Sequence, residues 1–119
     1  MISAVIVTHG NLGQALIDSA FSILGEQEGI SAISNFGLSN IDLISALENR
    51  VEQYESPIIL VDTHSSTLIA AKSLKRPLPV ISGVNLPMLL SFFTKRHRWK
   101  IEELVEILVN DGRKGIASL

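Results

Sequence analysis

The sequence contains no cysteine. Disulfides, thiolate metal sites and cysteine nucleophiles are therefore excluded, and nothing about redox compartment follows. Aromatic residues are scarce at 5%, so the core must be built on Ile, Leu, Val and Ala. Net charge is low as well, at −2, and the one basic cluster, TKRHRWK at 94–100, meets Glu102, Glu103 and Glu106 at once. So short a footprint argues against nucleic-acid binding; it reads as a solvated turn with Trp99 packed back onto the body. No apolar run reaches the length that spans a bilayer. The opening MISAVIVTHG has no basic n-region and arrives at His9 too soon for a signal peptide. A cytoplasmic, soluble protein with no membrane insertion is the expectation.

What is present is an aliphatic chain of 119 residues, 46% of them apolar, enough for one folded domain over 1–119 with a real core. Two periodicities alternate along it. ISAVIVT (2–8) is a β-branched run that reads as a buried strand. In the next segment Leu12, Ala15, Leu16, Ala20, Ile23 and Leu24 form a helical stripe, with Gly25 as its stop. A weaker strand, 29–36, precedes a helix carrying Ile44, Leu47, Val51 and Tyr54, with Ser39 and Asp42 spaced as a cap. IILVD (58–62) is the cleanest strand; 65–75 is a short helix closed by Pro77 and Pro79, and 80–85 a fourth strand. Asn85 caps a helix with Pro87 in its first turn, where a missing N–H costs nothing. A last helix, 101–111, is expected to stop at Gly112, leaving a tail, 113–119, as either a short strand or an arm.

Strand–helix alternation of this kind implies an α/β fold: a mainly parallel four-stranded sheet between two helical layers. In such sheets ligands sit beyond the carboxyl ends of the strands, where strand order reverses. With the order 2-1-3-4, strands one and three are neighbours at that point. One ends at His9 and the other at Asp62. A carboxylate bonded to one imidazole nitrogen fixes the tautomer, leaves the other lone pair free, and stabilises the charge that forms when that nitrogen attacks. Gly10 and Gly13 let backbone N–H groups approach an anion, and Ser65, Ser66 and Thr67 bring more donors to the same rim. The combination suits phosphoryl transfer through a phosphohistidine. His64 can join the site or stand as an exposed loop residue, and His97 reads as surface. No Gly-Lys-Ser/Thr follows the glycines, so NTP hydrolysis is disfavoured. A hydrolase triad lacks the G-x-S-x-G elbow, and a zinc site built on His9, Asp62 and His64 lacks ligand spacing.

VIVTHGNLGQAL, ILGEQEGI, IILVDT, SGVNLPMLLSFFTKR and GRKGI together resemble the IIA domain of the mannose-type (mannose/fructose/sorbose) sugar phosphotransferase system, over nearly the whole chain. The resemblance implies that His9 takes a phosphoryl group from the phosphocarrier HPr and passes it to a histidine of a IIB component. Asp62 would hold the unreacting ring nitrogen, and Gly10, Thr63, His64, Ser65, Ser66 and Thr67 would form the rim facing phosphate and partner. It further implies a cytoplasmic homodimer whose C-terminal tail pairs with the partner subunit's sheet, and no metal or organic cofactor. One stretch departs from the family. After the aspartate the family reads Gly-Gly-Ser-Pro-x-Asn behind an aromatic; here it is Ser65-Ser66-Thr67-Leu68-Ile69-Ala70 behind His64. Serines in place of glycines must either adopt positive φ at a cost or give the loop another shape. The departure keeps a second reading open, a regulatory module that is phosphorylated by HPr or binds it without serving sugar transport.

Overall fold

The computed structural model describes residues 1–119. Its elements are β1 (Ile2–Thr8), α1 (Leu12–Leu24), β2 (Ile30–Ser34), α2 (Asn40–Val51), β3 (Ser56–Val61), α3 (Ser66–Lys72), β4 (Val80–Ser82), α4 (Leu86–Lys95) and α5 (Ile101–Lys114). The sheet is wholly parallel in the order β2-β1-β3-β4, as the alternation predicts. Because side chains alternate across a strand, β1 and β3 feed two cores. Ala4, Ile6, Ile58 and Leu60 pack with Ile17 of α1, Leu89 and Phe92 of α4, and Leu104 and Leu108 of α5. Val5, Val7, Ile59 and Val61 pack on the other face with Leu43 and Leu47 of α2 and Ala70 and Ala71 of α3. The result is a three-layer αβα sandwich. Each fully buried Ile or Leu here contributes about 1.5–3 kcal/mol relative to exposure.

Caps follow the sequence. Ser39 Oγ accepts the Asp42 N–H at 3.1 Å, and Asn85 Oδ1 accepts the Met88 N–H at 3.0 Å. No helix is long and apolar enough to cross a membrane.

Three expectations are corrected and one alternative is narrowed. The inward face of helix α1 is rotated from the expected stripe: Ala20 is buried and Leu16 and Leu24 pack against the core as expected, but Gly13 and Ile17 are buried with them, and Leu12 and Ile23 are exposed. Gly13 sets that face, since a Cβ there would lie 3.2 Å from both Ala32 Cβ and Ile6 Cγ2. Gly112 does not stop α5, which continues to Lys114. Its role is close packing: a Cβ would come within 2.9 Å of Met88 Cε, and its carbonyl accepts the Asn85 side-chain N–H at 3.0 Å. The end of the tail, 116–119, forms no strand within the chain and is exposed. Lastly, the basic turn is only partly solvated. Arg96 is buried, its guanidinium 5.1 and 5.5 Å from the Phe92 and Phe93 rings, and it donates to the Ile2 carbonyl at 3.3 Å. Trp99, expected against the body, is 43% exposed.

Candidate functional site

The last register pair between β1 and β3 is Val7 with Val61. Beyond it the two chains emerge together at the reversal of strand order, and His9 and Asp62 meet there. The Asp62 Oδ2 atom accepts the His9 backbone N–H at 2.9 Å and lies 2.7 Å from His9 Nδ1. Its Oδ1 accepts the Thr63 backbone N–H at 3.0 Å and the Thr67 hydroxyl at 2.8 Å. Burial by itself raises the Asp62 pKa. The His9 backbone N–H, the His9 ring and the Thr67 hydroxyl outweigh it and hold the carboxyl below its ordinary value. An ionised carboxylate can only accept, so Nδ1 of the neutral ring carries the proton and Nε2 keeps the lone pair. The two side chains differ in access: His9 is 46% exposed and Asp62 only 11%. The site therefore offers an open nucleophilic ring with a shielded counter-charge behind it.

The turn that carries the ring is anchored on its other side. Gly10 takes φ +58°, a conformation that favours glycine, and donates its N–H to Asn35 Oδ1 at 3.2 Å. Asn35 in turn donates its own N–H to the Thr8 carbonyl at 3.0 Å. Thr8 is buried, and its Oγ1 accepts the Gly13 N–H at 2.9 Å, tying the start of α1 to the end of β1. Asn35 was not singled out by sequence reasoning. The only signal was a polar residue closing the β2 run.

Among the rim residues, Gly10, Thr63 and His64 are exposed, and Ser65 and Ser66 are half-buried at the start of α3. Thr67 is different. It is fully buried and spends its hydroxyl on Asp62. No residue other than glycine has positive φ, so the loop of serines takes another shape instead of a strained one. Ser65 Oγ pairs with Thr67 Oγ1 at 3.2 Å and not with an imidazole, which leaves the hydrolase arrangement without its nucleophile–base contact. No group of three His, Asp or Glu side chains is placed to hold a metal ion. His97 is exposed, as expected.

Comparison with known proteins points one way. Residues 3–109 match the family described as the PTS system fructose IIA component. The mannose-specific EIIAB component of Escherichia coli K12 is 32% identical over 127 residues, an alignment that takes in 99% of this chain and 39% of that protein. This chain thus spans well under half the length of that relative. The fructose-specific EIIA component of Bacillus subtilis is 31% identical over 117 residues, covering 91% of this chain and 80% of the relative. Among solved structures, phosphotransferase system component EIIA from Streptococcus agalactiae superposes with a TM-score of 0.87 at 26% identity, over 99% of this chain and 97% of that one.

Proposed function

This chain belongs to the IIA component family of the mannose/sorbose/fructose-type sugar phosphotransferase system, and from that premise we propose that its reactive atom is Nε2 of His9. In the proposed reaction the Nε2 lone pair attacks the phosphorus of a phosphohistidine on HPr. The donor's P–N bond breaks, a P–N bond to His9 forms, and the ring becomes cationic beside the Asp62 carboxylate. Passage to a IIB component reverses these steps at a new acceptor. Gly10, Thr63, His64, Ser65 and Ser66 form the rim that meets the phosphoryl group and the partner.

The observation that carries this reading is the pairing of an exposed imidazole, through Nδ1, with a carboxylate held by four donors. Apolar side chains around the same end of the sheet support docking of a protein rather than of a small molecule: Phe36, after β2, is 86% exposed, Ile41, opening α2, 79%, and Ile69, in α3, 63%. We also propose a homodimer formed through the sheet edge. Strand β4 is an edge of the sheet, and the exposed tail ends in Ile116 and Leu119, apolar residues suited to pairing with a second copy. The protein would act in the cytoplasm.

The altered stretch from Ser65 to Ala70 favours a second reading, in which HPr phosphorylates or binds the chain and no sugar-linked IIB follows. One experiment tests both. The protein is incubated with labelled phosphoenolpyruvate, enzyme I and HPr, then with a IIB component encoded alongside it. Acid-labile label that is lost in His9→Ala and kept in His64→Ala supports His9. Label that chases onto IIB supports the transport role, and label that stays on this chain supports the regulatory one. Label lost only in His64→Ala overturns the assignment of the ring.

A further inference from the structure

The rim residue Thr67 stands apart from its neighbours in two respects. It is 0% exposed, so no phosphoryl group or partner surface reaches its hydroxyl without the start of α3 moving. Its hydroxyl also lies 2.8 Å from Asp62 Oδ1, the oxygen that does not face the imidazole. Hydrogen-bond direction follows from chemistry. Asp62 is ionised and cannot donate, so the single Thr67 proton points at the carboxylate. The contact at 3.2 Å between Ser65 Oγ and Thr67 Oγ1 must then run the other way, Ser65 donating and Thr67 accepting. Donors therefore converge on Asp62 from two sides, Ser65 through Thr67 onto Oδ1 and the Nδ1–H of His9 onto Oδ2.

We propose that Thr67 is a positioning residue for His9, acting through Asp62, and not a contact for phosphate. The inference rests on the reading of His9 as the phosphoryl acceptor and deepens it. Oδ1 has two donors, the Thr63 N–H and the Thr67 hydroxyl; of these only the hydroxyl comes from a side chain. The Thr63 donor is the residue next to Asp62 and travels with it, so it fixes little. Thr67 belongs to α3, an element packed through Ala70 and Ala71 into the core, and ties Oδ1 to that layer, while the His9 backbone N–H at 2.9 Å holds Oδ2 to the end of β1. Held at Oδ1 by the Thr67 hydroxyl and at Oδ2 by the His9 backbone N–H, the carboxyl group is fixed in rotation, and Oδ2 stays in line with Nδ1. That geometry keeps the proton on Nδ1 and the attacking lone pair on Nε2. The hydroxyl sits there without exposure because it is satisfied as both donor, to Asp62 Oδ1, and acceptor, from Ser65 Oγ.

The discriminating variants are Thr67→Val, which keeps shape and loses the hydroxyl, and Thr67→Ser, which keeps the hydroxyl. Two readouts are taken on the whole chain: the rate of label uptake from phospho-HPr, and the 15N shifts of the His9 ring in the unphosphorylated protein. Thr67→Val is expected to lower the maximal rate about ten-fold or more with KM for phospho-HPr unchanged, and to shift the ring toward the Nε2–H tautomer. Thr67→Ser should restore both. Wild-type ring shifts in Thr67→Val overturn the proposal, as does a Thr67→Ser variant as impaired as Thr67→Val. A raised KM with unchanged maximal rate also overturns it, because it would place Thr67 in partner contact. The ring shifts need no phosphoryl transfer. If wild-type protein takes up no label at all, the acceptor reading of His9 falls, while the tautomer measurement still decides whether Thr67 positions the ring.

Discussion

Two aspartates in this molecule are built alike and serve opposite ends. Asp62 accepts a threonine hydroxyl and faces the His9 ring; Asp111, on α5, accepts the hydroxyl of Ser91 and the ammonium of Lys95, both on α4. Both carboxyls are held below their ordinary pKa. At Asp111 the Lys95 and Ser91 hydrogen bonds are responsible; burial opposes them, and the charges of Lys95 and Lys114 add to the lowering. At Asp62 burial opposes more strongly and is overcome by His9 and Thr67. The difference lies in what the charge touches. Asp111 closes a seam between two helices and its partner has no chemistry to perform. The partner of Asp62 is a half-exposed ring with a free nitrogen at the edge of a sheet crevice. A depressed carboxylate is therefore no mark of a reaction centre by itself; Lys95 is 41% exposed and His9 46%, so what decides is that the ring keeps a free lone pair and the ammonium has none.

The contrast can be broken most completely at the ring. His9→Ala should abolish acid-labile label, whereas Asp111→Asn should leave uptake at the wild-type rate, both read by transfer from phospho-HPr. Next in size, Asp62→Asn should fold normally and slow uptake on the order of 100-fold, because an amide offers Nδ1 no counter-charge and permits the wrong tautomer. Single-turnover kinetics check it, and an unchanged rate would remove Asp62 from the mechanism. At Asp111 the effect falls on stability instead. Asp111→Asn should cost about 1 kcal/mol or less, part of its surroundings being open to solvent, and lower the melting temperature by a few degrees.

The smallest effect sharpens the comparison through pH. Unfolded, each carboxyl titrates near its ordinary value, about 4; folded, each titrates lower. Their contribution to stability is thus complete above about pH 4 and is lost as pH falls through the depressed folded values. Urea unfolding at several acid pH values should show a shallower loss in either Asp→Asn variant than in wild type.

The parts of this molecule that were legible in its sequence are those with a local physical signature. VIVTH and IILVD are β-branched runs closed by polar groups, and the rule for ligands in parallel sheets brings their ends together before any coordinates are known. The caps at Ser39 and Asn85 are equally local. What escaped depends on contacts distant in sequence. The inward face of α1 is chosen by the close approach of Gly13 to Ala32 and Ile6, which outweighs the larger apolar side chains of Leu12 and Ile23. Gly112 looks like a helix stop and is a crossing point against Met88, on another helix. Arg96 lies in a charged run and is nonetheless drawn between two phenylalanines and the Ile2 carbonyl, 94 residues away. Thr67 reads as one hydroxyl among several, and only the folding of α3 turns it inward.

The loop between Asp62 and α3 contains no residue in a conformation reserved for glycine. Its consequence is evolutionary. Replacements at Thr63, His64, Ser65 or Ser66 face no backbone barrier, so the mouth of the crevice can drift while the ring and its carboxylate stay fixed. A randomised library over those four positions is therefore expected to recover many folded proteins that keep the His9–Asp62 pair, read by expression and thermal unfolding.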